Sequence, residues 1–184
     1  MLGTARSADS AAAGEDTSKK IGMDMGGTKI EALARDDQGL EVFRHRVQAP
    51  RNDYAGTLTA MVGFAERIEQ ETGETGTVGV RIPGCISKMT GLVKNSNCTS
   101  LNDPPLDEDL DKLLEREVRI ENDANCFAVS EATDGAAAGN AVVFGVILGT
   151  GCRGGASSDG RSSTGNSVAG EWGHSLLPWS TPED

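Results

Sequence analysis

The chain has 184 residues, 37% of them apolar, and 28 acidic against 17 basic side chains give a net charge of -11. So acidic a surface repels nucleic-acid backbones and anionic lipid, and no window reaches the roughly 20 uninterrupted apolar residues of a spanning helix. The length suits one ordinary domain, or one and a fraction of another.

The first residues, "MLGTARSADSAAAGEDTSK", are small, polar and aperiodic, and residues 1–19 are predicted to be a disordered extension rather than a signal peptide. From Lys20 the pattern turns strand-like. "KIGMDMGG", "TKIEALARDD" and "LEVFRHRVQA" predict a meander of three antiparallel strands, the first two joined at glycines and the last two at "DDQG". His45 on the outer strand reads as a structural residue. Leu58, Met61, Val62, Ala65 and Ile68 then fall on one face of a helix from Asp53 to Thr72, with Asp53 as N-cap and Gly73 as C-cap. "GTVGVRIPG" and "GLVKN" are short strands. "LDEDLDKLLER" is an amphipathic helix expected to bury Leu106, Leu110, Leu113 and Leu114.

"EVRIEND" runs as a strand straight into a third helix, Asp123 to about Ala138, and "AVVFGVILGTG" is an apolar strand ending in glycines. Beyond Gly151 apolar periodicity fades, and irregular structure or weak hairpins are expected. The order β-β-β-α-β-α-β, then helix and strand, predicts an α/β fold with a mixed sheet. Cys85, Cys98, Cys126 and Cys152 form no C-x-x-C pair and read as reduced thiols of a cytoplasmic protein.

Four stretches carry candidate chemistry. In "DMGGTK", the glycine turn Gly26–Gly27 with Thr28 and Lys29 can cradle phosphate oxygens. Asp24, two residues before Gly26, can hold Mg²⁺ through water. In "GTGCRGG", Gly149, Thr150 and Gly151 repeat that turn chemistry at a second strand end, so the two suggest jaws around a polyphosphate. Read alone, each is better taken as an ordinary glycine hairpin. In "ENDAN", Asn122 and Asp123 are good helix caps, yet Asp123 also sits at a strand end, where α/β folds place ligands. A carboxylate there can accept a proton from an attacking hydroxyl. In "GEWGH", Glu171 and His174 can hydrogen-bond a polyol. Phosphate turns, a metal-holding acid and a base together make the parts for phosphoryl transfer.

Together "IGMDMGGTK", "VGVRIPG", "VKNSN", "ENDANCFAVSEA", "ILGTGC" and "AGEWGHSLLPW" resemble the ROK family of repressors, open reading frames and kinases, over nearly all of residues 20–179. "RHRVQAPRNDY", "VKNSN", the cysteine of "GTGC" and "GEWGHSLLPW" look most similar to its bacterial fructokinase (manno-fructokinase) branch, with the N-acetylglucosamine kinases as near competitor. The resemblance implies an actin-like ATPase fold. Residues 20–121 would form a ribonuclease-H-like domain with a mixed five-stranded sheet, and residues 122–184 the start of an incomplete second one. It implies ATP with Mg²⁺ as donor and a hexose as acceptor, fructose first, with N-acetylglucosamine, glucose or mannose as alternatives. Asp123 would be the general base. Gly84, Asn97, Asn122, Glu171 and His174 would hold the sugar, Gly26–Lys29 and Gly149–Gly151 the phosphates, and Asp24 the metal. Homodimers are common in the family. Its repressors carry an N-terminal helix-turn-helix, for which the polar stretch ahead of Lys20 is too short.

Four departures from the family pattern stand out. The chain stops where the family continues into the adenine pocket. The cysteine cluster that normally follows the histidine is absent, leaving His174 as the one remaining ligand of a structural Zn²⁺ site. Arg81 and Arg153 replace glycines beside the sugar and the phosphates respectively; they could place a cation at the phosphates, but are expected rather to block close approach. Ser157, Ser158, Ser162 and Ser163 replace a mostly apolar hairpin, and Ser100 an aromatic, which should weaken packing. A sugar kinase seen in part is one reading; a non-catalytic remnant or sugar-binding module is the other.

Overall fold

The computed structural model describes residues 19–96, 98–148 and 152–163. A five-stranded sheet has the order β3-β2-β1-β4-β7, made of β1 (Lys19–Met25), β2 (Lys29–Arg35), β3 (Glu41–Gln48), β4 (Gly76–Ile82) and β7 (Val118–Asn122). β1, β2 and β3 pair antiparallel, whereas β4 runs parallel to both β1 and β7. Between β4 and β7 lie the two-residue strands β5 (Cys85–Ile86) and β6 (Val93–Lys94), a 3-10 turn at Thr99–Leu101, and helix α2 (Leu106–Leu114). The mixed five-stranded sheet agrees with the sequence expectation.

Strand alternation decides which face is covered. Ile21, Met23 and Met25 of β1, Ile30, Ala32 and Ala34 of β2, and Val78, Val80 and Ile82 of β4 are buried. Helix α1 (Tyr54–Thr72) supplies Met61, Phe64, Ala65 and Ile68 to the same core, and α2 supplies Leu106 and Leu110. Burying each Val, Ile, Leu, Met or Phe of this set contributes about 1.5–3 kcal/mol. The caps of α1 are those predicted: the Asp53 carboxylate accepts from Gly56 N–H at 2.8 Å, and Gly73 adopts the left-handed conformation at φ 73°. His45 stacks edge-on to Phe64 at 6.0 Å, as a structural residue does.

The opposite sheet face carries Gly22 and Asp24 of β1 and Gly79 and Arg81 of β4. In register across the strands, Asp24 lies beside Arg81 and Arg81 beside Glu121. This row sits at the carboxyl ends of the parallel strands, where open α/β sheets bind ligands.

A second sheet, β10-β9-β8, is antiparallel and formed by β8 (Val142–Leu148), β9 (Cys152–Ser158) and β10 (Arg161–Ser162). Helix α3 (Asp123–Thr133) lies on it at close range. A Cβ on Gly155 would sit 2.0 Å from the carbonyl oxygen of Ala124, so only glycine permits that approach.

Three expectations are corrected. Seven residues beyond Gly151 form a regular strand, because β9 packs on α3 through Gly154, Gly155 and Ser157 rather than through large apolar side chains. Helix α3 ends at Thr133, not near Ala138: the chain turns through Gly135 and through Gly139, at φ 83°. Leu113 is 53% exposed, because α2 turns its Leu106–Leu110 ridge inward and leaves Leu113 outside.

Candidate active site

The first candidate phosphate turn joins β1 to β2. Gly26 N–H donates to the Lys29 carbonyl at 2.9 Å, and the Thr28 carbonyl accepts from Ala49 N–H at 2.9 Å, so the turn is tied to both its own hairpin and the end of β3. Gly27, Thr28 and Lys29 are exposed at its tip. Asp24 lies just upstream with both carboxylate oxygens engaged: Arg81 Nε donates to Oδ1 at 2.8 Å and Nη2 to Oδ2 at 3.0 Å. The two side chains are 44% and 46% exposed.

The second half of the site is the junction of β7 with α3. Asn122 is the N-cap, its Oδ1 accepting from Ala124 N–H at 3.0 Å and Asn125 N–H at 3.4 Å. Its Nδ2 donates to the Gly84 carbonyl at 2.9 Å, fastening the β4–β5 turn to the helix start. Gly84 has φ 135°, and a Cβ there would sit 2.8 Å from the Lys94 carbonyl, so the turn requires glycine. Glu121 orders the same junction by accepting from Asn122 N–H and Asn125 Nδ2.

Asp123 begins α3. Its Oδ1 accepts from Ala124 N–H at 2.9 Å and its Oδ2 from Arg153 Nη1 at 2.7 Å. Both side chains of this pair are only 16% exposed. Between the two halves lies Cys126, whose thiol is pushed up to about 11 by burial first and by Glu121 second, with Arg81 opposing and Asp123 and Asp24 adding to the rise. One thiol therefore senses both candidate carboxylates, and it is neutral near pH 7.

A cavity of about 440 Å³ opens over this region, lined in part by Asp24, Arg81, Glu121 and Cys126. A larger one, about 830 Å³, lies at the other ends of β1 and β4 beside Lys20, Arg116 and Arg119. Neither Asp24 nor Asp123 lines it, whereas the smaller cavity reaches Asp24.

Of the predicted site residues, Asp24, Gly26, Gly27, Thr28, Lys29, Gly84, Asn122 and Asp123 are placed at the carboxyl ends of β1, β4 and β7 or in the turns that follow them. Asn97, Gly149, Thr150, Gly151, Glu171 and His174 lie outside the described residues, and with them the second jaw and the zinc expectation. Among the described residues no group of three or more His, Cys, Asp or Glu could hold a metal ion. Asp24 alone still fits magnesium, which takes one or two carboxylates and keeps waters and phosphate oxygens for the rest. Its exposed pair with Arg81 is of a kind worth about 0–1 kcal/mol, a weak competitor for those waters.

Sequence reasoning did not foresee the two arginine–carboxylate pairs. It read Arg81 and Arg153 as bulky replacements for glycine, or as a cation placed at the phosphates, and not as partners of Asp24 and Asp123. The side chain of Arg81 lies along the sheet onto Asp24, and that of Arg153 reaches Asp123. Glu121 was also missed, although it stands in the quoted "ENDAN".

The sheet order and the β7–α3 junction define a unit of the actin-like ATPase, ribonuclease-H-like fold type. The chain belongs to the ROK family, whose model matches residues 20–183. It is 42% identical over 157 residues to an N-acetyl-D-glucosamine kinase of Haemophilus influenzae, covering 85% of this chain and 52% of that one. Its structure is similar to that of a ROK hexokinase from Thermus thermophilus, with a TM-score of 0.75 at 34% identity over 87% of this chain and 54% of the other. It is also similar to a ROK glucokinase from Streptomyces griseus in complex with glucose and AMPPNP, with a TM-score of 0.72 at 28% identity over 85% and 50%. The chain spans about half the length of the curated relatives it matches. No helix among the described residues is long and apolar enough to cross a membrane.

Proposed function

We propose that the protein transfers the γ-phosphoryl group of ATP to the primary hydroxyl of a hexose, with N-acetylglucosamine ahead of fructose as acceptor. Sequence features favoured fructose; the 42% identity to an N-acetyl-D-glucosamine kinase supports the alternative instead. The observation that carries the reading is Asp123, a carboxylate held at the junction of β7 and α3 with its orientation fixed by Ala124 N–H. There it accepts the proton of the attacking hydroxyl. The Gly26–Thr28 turn, with Lys29, holds phosphate oxygens, and Asn122 keeps Gly84 beside the acceptor. Asp24 would hold magnesium through water, and the ion would supply positive charge to offset that of the phosphates. β7, which ends at Asn122, belongs to the first sheet and α3 packs on the second, so the reading divides the chain at this junction, one residue beyond the 121/122 boundary expected from the sequence. Gly149–Gly151 as second jaw, and Asn97, Glu171 and His174 as sugar ligands, complete it.

The test is a coupled ADP-release assay on the protein expressed from its complete open reading frame, with N-acetylglucosamine and fructose compared by kcat/KM. Replacing the base, Asp123→Asn, should lower kcat by about 100-fold or more. Wild-type turnover in that variant would remove Asp123 from the role, and a higher kcat/KM for fructose would reverse the order of acceptors.

A further inference from the structure

Two carboxylates serve the proposed transfer, Asp24 and Asp123, and an arginine sits on each. The pairs are not equivalent. Arg81 and Asp24 are 44% and 46% exposed, so water and ions exchange with them readily. Arg153 and Asp123 are 16% exposed each, and the 2.7 Å contact is a charge-assisted hydrogen bond shielded from solvent. Asp123 has Ala124 N–H on Oδ1 and the guanidinium on Oδ2, so an incoming hydroxyl meets a carboxylate already held at both oxygens.

We propose that Arg153 is a positioning residue that sets the rate of phosphoryl transfer by competing with the acceptor hydroxyl for Asp123. The inference rests on the reading of Asp123 as the base. In the transfer, the hydroxyl proton passes to Asp123 as the oxygen bonds to the γ-phosphorus. The bond from that phosphorus to the β–γ bridging oxygen breaks, and ADP leaves with the electron pair. Protonating Asp123 discharges the ion pair, so the attraction that Arg153 exerts on the charged carboxylate is lost as the proton arrives. Arg153 therefore stabilises the ground state more than the transition state, and such an interaction lowers kcat. Because a hydrogen bond to a charged group shifts an equilibrium by about ten- to a hundredfold, the brake is large enough to read in kinetics.

The experiment compares Arg153→Met and Arg153→Gln, which remove the charge, with Arg153→Lys, which keeps a cation without the planar fork. kcat and KM are measured separately for sugar and ATP in the complete protein, and melting curves confirm folding. Both neutral variants should raise kcat by about tenfold or more, with KM for the sugar changing less, and Arg153→Lys should raise it less. If wild-type turnover is below detection, a neutral variant must bring it above detection. Unchanged, lower or still undetectable kcat in the folded neutral variants overturns the proposal.

Asp123→Asn, alone and combined with Arg153→Met, separates the two layers. If Asp123→Asn abolishes turnover while Arg153→Met leaves kcat flat, the base stands and the role of Arg153 falls. If Arg153→Met turns over equally well with and without Asp123→Asn, the base assignment itself is wrong.

Discussion

Asp123 owes its place to its immediate neighbours and its ion partner to a strand thirty positions later in the chain. That contrast explains which parts of the site were legible. The N-cap role of Asn122 and the strand-end position of Asp123 follow from local spacing, so "ENDAN" announced them. The Asp24–Arg81 pair follows from strand register, in which β1 and β4 bring the two residues side by side, and register is set by the whole sheet. The same distinction separates the glycines. Gly155 has the Ala124 carbonyl oxygen 2.0 Å from where a Cβ would be, and backbone cannot swing aside as a flexible side chain does; Gly27 has nothing within 4 Å. Gly155→Ala should cost about 1–3 kcal/mol through overpacking of β9 on α3. Gly27→Ala should stay within about 0.5 kcal/mol. Urea midpoints of the two variants check both, and equal midpoints would mean that α3 does not lie this close to β9.

Elements were legible where one residue type announces a boundary. Asp53 and Gly73 bracket α1 because a carboxylate caps exposed N–H groups and glycine takes the left-handed turn without penalty. Asp53→Ala should therefore cost about 1 kcal/mol, seen as a lower Tm with an unchanged far-UV spectrum. β9 was illegible for the converse reason. Its inward positions are Gly154, Gly155 and Ser157, which give no apolar alternation, and the strand exists because α3 accepts small residues beneath it. Leu113 looked buried because helical spacing identifies a stripe but not which edge of it a neighbouring helix covers.

The β2–β3 ladder adds a pH dependence. Glu31 hydrogen-bonds Arg46 and Arg44 across the strands, and its carboxyl is held below the usual range by Arg46 first, with burial opposing and Arg44 assisting. A depressed carboxylate contributes stability that is full above its unfolded value, near 4.3, and is lost as pH falls through the lower folded value. Denaturant titrations from pH 7 to pH 3 should show a steeper loss for the wild type than for Glu31→Gln. Parallel losses would place Glu31 outside the acid response.

At the scale of the whole molecule, each sheet has one well-covered face. The five-stranded sheet buries its inner residues under α1 and α2, and β8 turns Val143 and Gly145 toward α3. The other face of β8 is apolar and open among the described residues: Val142 is 72% exposed, Phe144 60%, Val146 42% and Leu148 79%. Period-two alternation with large apolar residues on both faces is the pattern of a strand buried on both sides, not of one that meets water. Scattered exposed apolar residues are ordinary, but four in line on one strand form a contiguous patch. Expressed as these 184 residues, the protein should bind a hydrophobic reporter dye in native buffer. Phe144→Ser with Val146→Thr should reduce that signal while leaving the urea midpoint within about 0.5 kcal/mol of wild type, as expected for surface substitutions. A loss of several kcal/mol, as core truncations give, would show instead that this face is packed inside the folded chain.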